Sequence, residues 1–175
     1  MAPLFPGLLA AEDIHPLFVH FPVALWPTAA AFFAYGVLRD HEGALQTGRW
    51  LAYVGLAGAA AALATGFLAA DRLGHDSPGH EHVHVHRNLM LGASVLVAAA
   101  AAAARLAATR VSKKLQSVAL GLLLAGVAVT ALGADRGARL VFEFGLGVSQ
   151  PVPATAPAGP HHGGGEHGHH GGHAH

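Results

Sequence analysis

The sequence predicts an all-α, polytopic membrane protein: a bundle of four transmembrane helices followed by a disordered His/Gly-rich tail. Three observations predict it. Hydrophobic residues make up 53% of the chain and charged residues only 11%, under half the roughly 25% of an ordinary globular domain. Four stretches have, or nearly have, the length to cross a hydrocarbon core about 30 Å thick, which takes about 20 helical residues. The fifteen histidines are clustered, with none between Arg87 and Pro160.

The first helix is placed at about residues 16–38, where His20 is the only ionisable side chain between Leu17 and Leu38. The second, about 50–70, has none from Trp50 to Ala70. The third, about 87–108, is short as a purely apolar run (Leu89 to Ala104), but Arg105 can snorkel and let Leu106 to Ala108 extend it. The fourth, about 115–134, is apolar apart from Gln116 and Ser117. A short amphipathic segment from Gly137 to Val148 is expected on the outer surface. Alanine runs such as Ala59 to Ala62 and Ala98 to Ala104 suit buried soluble helices too. Four such stretches, however, leave no polar surface for a soluble fold. Met1 to Ala11 lacks a basic region and Leu17 to Leu38 is too long for a signal-peptide core, so the first segment is read as retained. The chain thus divides into a membrane domain, 1–148, and a tail, 149–175. There Pro151, Pro153, Pro157 and Pro160 lead into a Gly/His run that cannot bury a core.

Basic residues orient the bundle. Arg39, Arg49, Arg105, Arg110, Lys113 and Lys114 flank the connections of helices 1–2 and 3–4, against Arg72, Arg87, Arg136 and Arg139 on the other side. The positive-inside rule puts those two connections in the cytoplasm and both termini outside, in a bacterial inner membrane. Gly55, Gly58 and Ala62 on helix 2, and Ser117, Gly121 and Ala125 on helix 4, have the spacing that lets membrane helices approach closely. Association with further copies of the chain stays open. A net charge of zero and the lack of a basic stripe argue against a nucleic-acid partner. The absence of cysteine excludes disulfides, thiolate-held iron–sulfur clusters and covalently attached haem.

The histidines carry the chemistry. His15-Pro16 and His20-Phe21-Pro22 open helix 1, and Pro22 and Pro27 free the carbonyls of Phe18 and Val23 from helical bonding. Lipid tolerates such a defect only against protein or water, which makes His20 a functional candidate. His86 opens helix 3. A weak repeat relates Thr65 and Asp71-Arg72 to Thr130 and Asp135-Arg136 at offsets of 65 and 64, and His20 lies 66 residues before His86. On that register His20 and His86 are expected to face one site, with His15 beside it. They would ligate a b-type haem from both axial positions or form half of a metal site. The outer loop adds His75, His80, His82 and His84. If it is extended, the alternate histidines align; if helical, His82 and His86 share a face. Seven more follow in the tail: His161, His162, His167, His169, His170, His173 and His175. Neutral imidazoles in such numbers suit zinc, nickel or copper.

These motifs resemble a family of bacterial membrane proteins catalogued as domain of unknown function 2231. Its opening His-Pro and His-Phe-Pro correspond to His15-Pro16 and His20-Phe21-Pro22, its third-helix histidine to His86, and its closing stretch to Gly137 to Phe142 with Gly145 to Val148. Ala138, Phe142 and Phe144 depart from the closing pattern, so no ligating role is assigned to that stretch. The resemblance implies a redox setting, since similar modules are fused to Rieske-type or cytochrome c domains; a protein of that kind would be the partner, beside the lipid bilayer itself. The expectation is therefore a haem- or metal-binding module associated with electron transfer. The alternatives are a divalent-metal capture protein using the outer loop and tail, or a structural membrane subunit. No nucleophile–base pair or phosphate loop stands out, so no enzymatic activity is expected.

Overall fold

The computed structural model describes residues 14–71, 73 and 79–146. They form four helices: α1 (His15–Arg39), α2 (Glu42–Asp71), α3 (His80–Arg110) and α4 (Lys113–Phe142). Each is long and apolar enough to cross a membrane, with mean hydropathy of 1.6 to 2.1 over its most apolar stretch. At most 28% of any such stretch is buried inside the bundle. The outward faces carry Leu38, Val95, Leu132 and Phe142, an inversion of soluble proteins that only a lipid surround makes stable.

The helices outrun their predicted bounds. At 25 to 31 residues and about 1.5 Å per residue, they span more than the hydrocarbon core. Hydropathy marks only the segment in lipid, whereas a helix continues wherever its backbone can bond to itself. Polar starts extend α2 back to Glu42 and α3 back to His80. The amphipathic segment expected from Gly137 is instead the continuation of α4 as far as Phe142; Gly147 and Val148 lie outside the described residues. So do His75, the seven tail histidines and the whole of 149–175.

Two short links make two antiparallel hairpins. Asp40 closes α1 in the left-handed region (φ 51°) and Val111 closes α3 the same way (φ 48°). Each donates its backbone N–H to the carbonyl four residues back, Gly36 and Ala107. His41 Nδ1 then accepts from Ala44 N at 3.1 Å, and Ser112 Oγ from Leu115 N at 3.4 Å, so a side chain caps the start of each returning helix. An Asp40–Lys113 ion pair of 2.8 Å joins the hairpins at this end; fully exposed pairs contribute at most about 1 kcal/mol.

Within a hairpin, bulk on one helix meets glycine on the other. Trp26, wholly buried, sits over Gly55, and Val97 sits over Gly126. A Cβ on either glycine would fall 2.5 or 2.6 Å from its neighbour, so only glycine allows the approach. These are equivalent contacts, for 26 and 97, 55 and 126, and the caps 40 and 111 are all 71 positions apart. The chain thus repeats one hairpin twice, at an offset of 71 residues. α1 packs mainly on α2 and α3 on α4, with smaller α1–α4 and α2–α3 contacts closing the ring. The offset of 64 to 66 read from the sequence is thus corrected to 71. Alanine-rich helices match one another at many offsets, and only the knob-and-notch contacts fix the register. One small-residue stripe is corrected as well. Gly55, Gly58 and Ala62 are buried, but Ser117, Gly121 and Ala125 are exposed, and α4 packs through Ala119, Leu123 and Gly126.

Candidate functional site

At the end opposite the two links, the helices splay around a cavity of about 490 Å³, within the ~300–1,000 Å³ range of small-molecule and cofactor sites. α1 contributes His15, Val19 and Pro22, α2 Gly66 and Phe67, α3 His86, Arg87 and Met90, and α4 Gly137 and Leu140. Leu73 and Leu146, just beyond α2 and α4, complete the wall. Nearly all of it is apolar, so the few polar groups decide what it can hold.

Two of those groups are a matched pair of imidazoles. His15 Nδ1 lies 2.8 Å from the Ala62 carbonyl oxygen, and His86 Nδ1 lies 2.7 Å from the Gly133 oxygen. A carbonyl oxygen only accepts, so in each ring Nδ1–H donates, and the neutral imidazole carries its lone pair on Nε2. Thr65 Oγ1 also sits 3.4 Å from His15 Nδ1, while its own hydroxyl donates to Ala61 O at 2.9 Å. Each ring rests against a glycine, Gly66 for His15 and Gly137 for His86, where a Cβ would come within 3.0 and 2.9 Å of Cε1. Ring, acceptor and glycine all recur at the 71-residue offset (15 to 86, 62 to 133, 66 to 137). The duplication therefore delivers two imidazoles in the same tautomer to one cavity.

His20 and His86, expected to face one site, are not brought together. His20 is exposed and does not line the cavity, whereas His15, Val19 and Pro22 share a helix face at i, i+4, i+7. Five residues turn a helix by about 500°, so His20 points some 140° away from His15. The helper, His15, is the residue that faces the site. A signal was present in the chain: each of these histidines is followed 51 positions later by a glycine, His15 by Gly66 and His86 by Gly137.

The histidines at the start of α3 are helical. Residues 80–86 form the first two turns of α3. His84 stands between His80, with their Nε2 atoms 3.1 Å apart, and Arg87, whose Nη2 donates to His84 Nδ1 at 2.8 Å. His82 does not join His86 but stacks on Phe144, with ring centroids 4.9 Å apart. Phe144, one of the departures from the family pattern, serves there as packing. Arg87 extends over the Phe67 ring at 5.4 Å, a cation–π contact. On α4, the Arg139 guanidinium bonds both oxygens of Glu143, just beyond the helix, and holds that carboxyl below its ordinary pKa. Among the described residues, no group of three His, Asp or Glu side chains converges as a metal cage.

A family model described as "Predicted membrane protein (DUF2231)" matches residues 11–150. The chain belongs to the DUF2231 family. The match takes in all four helices and both cavity histidines. No curated protein and no solved structure matches this DUF2231 chain.

Proposed function

We propose that this DUF2231 protein is a membrane-embedded cofactor module in which His15 and His86 hold a b-type haem and serve electron transfer. One observation carries the reading: two imidazoles, each oriented through Nδ1 by a backbone carbonyl, line one apolar cavity. Ligating histidines characteristically donate their other ring N–H in this way, which fixes the tautomer and raises basicity at the ligating nitrogen. Two imidazoles on opposite hairpins are the donor set that would hold a haem in a helix bundle. Bound there, the group would supply one-electron chemistry. The chain's own part is to fix each ring through its Nδ1–H and, through Val19, Pro22, Met90 and Leu140, to exclude water. The bacterial inner membrane, the cavity opening to the outer side and a cytochrome c or Rieske-type partner belong to the same proposal.

His80 and His84 favour a second reading, capture of zinc, nickel or copper. Their Nε2 separation of 3.1 Å is close to the spacing of two nitrogens each ~2.0–2.1 Å from one ion. Binding there would require His84 Nδ1 to carry the proton and give up its bond from Arg87. That cost makes it the weaker of the two.

Absorbance of protein purified from haem-replete cells tests the first reading, with titration by haemin as a complement. A haem band is expected in the wild type and in His20→Ala, and its loss in His15→Ala and His86→Ala. A wild type that is colourless and does not bind added haemin would refute the haem reading.

A further inference from the structure

The duplication is broken at one place in the cavity wall. The position equivalent to Arg87 in the first hairpin is Pro16 (16 to 87), and both line the cavity. Among the described residues that line the cavity, the histidines are matched but the cation Arg87 stands on one side. Arg87 is only partly exposed, held from below by the Phe67 ring and from the side by His84. No carboxylate among the described residues forms an ion pair with it; of the acids at this end, Asp135 pairs with Arg136 and Glu143 with Arg139. A guanidinium braced at the rim of an apolar cavity, with no acidic partner among the described residues, presents its remaining N–H groups as a fork that matches carboxylate geometry.

We propose that Arg87 anchors a carboxylate carried by the apolar-bodied ligand of this cavity and so sets the ligand's orientation. The proposal deepens the cofactor reading and rests on the same cavity being a ligand site. Without Arg87, pseudo-twofold symmetry would offer the ligand two nearly equivalent poses; with it, the acidic end points to the α3 side. Two sources share this chemistry: the propionates of a haem, and the headgroup of a fatty acid.

The test compares acids with their esters on the full-length protein in detergent. Haemin and its dimethyl ester are titrated by absorbance, and dodecanoic acid and its methyl ester by displacement of a fluorescent fatty acid. An anchoring charge-assisted bond should favour the acid by about tenfold or more, and Arg87→Gln should erase the preference, so that acid and ester bind alike. Arg87→Lys, which keeps the charge but not the fork, should retain part of it. If haemin and its ester bind the wild type alike, and dodecanoic acid and its ester do too, Arg87 is not the anchor even though the haem reading stands. If neither porphyrin binds but dodecanoic acid outcompetes its ester, the haem reading fails and the anchor stands with a lipid source. No acid preference in either arm, or no binding of any of the four probes, overturns the anchor. Because the acid–ester contrast is read on the wild type, a misfolded variant does not decide the outcome.

Discussion

Replacing Gly137 by alanine should separate stability from ligand binding in a way that follows from a single contact. A Cβ at this position would lie 2.9 Å from His86 Cε1 and 3.1 Å from Nδ1, where carbon atoms normally approach to about 3.5–4.0 Å. The ring must retreat from α4 by about 0.6 Å. Its acceptor, the Gly133 carbonyl, is also on α4, at 2.7 Å, so the retreat stretches the bond past the useful limit near 3.2 Å. Losing such a bond in a membrane protein costs about 0.6 kcal/mol on average and up to about 1.7. Glycine to alanine in a helix returns about 1 kcal/mol of propensity. The two nearly cancel, so the unfolding midpoint in detergent should hardly move. Binding should respond differently, because loss of the group that orients a ligating histidine typically weakens affinity about 10- to 100-fold. Gly66→Ala should behave alike at His15, where the Cβ would be 3.0 Å from Cε1. Gly92→Ala is the control: nothing lies within 4 Å of its Cβ, so it should leave binding unchanged and stabilise slightly. Circular dichroism melts and haemin titrations of the three variants check this. Wild-type affinity in Gly137→Ala, or equal loss in Gly92→Ala, would refute the reasoning.

Gly55→Ala should act on the fold instead. Its Cβ would fall 2.5 Å from Nε1 of Trp26, a fully buried ring with no room to retreat, and overpacking of this kind costs about 1–3 kcal/mol; an unchanged or raised unfolding midpoint would show that the notch is not tight. For topology, a periplasm-active phosphatase fused after residue 146, beyond α4, should be active and one fused near Gln46 inactive. The reverse pattern would invert the orientation.

Hydropathy alone placed four helices, because lipid forbids unpaired backbone and so demands long apolar runs. It placed their ends poorly. His80 to His86 and Gly137 to Phe142 are too polar or too mixed to register as membrane segments, yet they are helical because their backbones bond internally. His86 was identifiable at the mouth of helix 3, and the importance of the His15-Pro16 and His20-Phe21-Pro22 opening was legible too. Which of its two histidines faces the cavity was not. That choice depends on helix phase, and helix phase depends on which glycine receives which ring. Trp26 over Gly55 and Val97 over Gly126 lock the hairpins at an offset of 71, whereas composition accepted several offsets equally well. Arg87 was legible only as a count in the charge balance. Its place on the cavity wall, over Phe67 and beside His84, arises from contacts between residues distant in sequence. The chain by itself determined that it spans a membrane four times, since that follows from the solvation of each segment separately. Only the tertiary structure decided which histidines meet, because a shared cavity is a property of helix rotation and no single segment contains it.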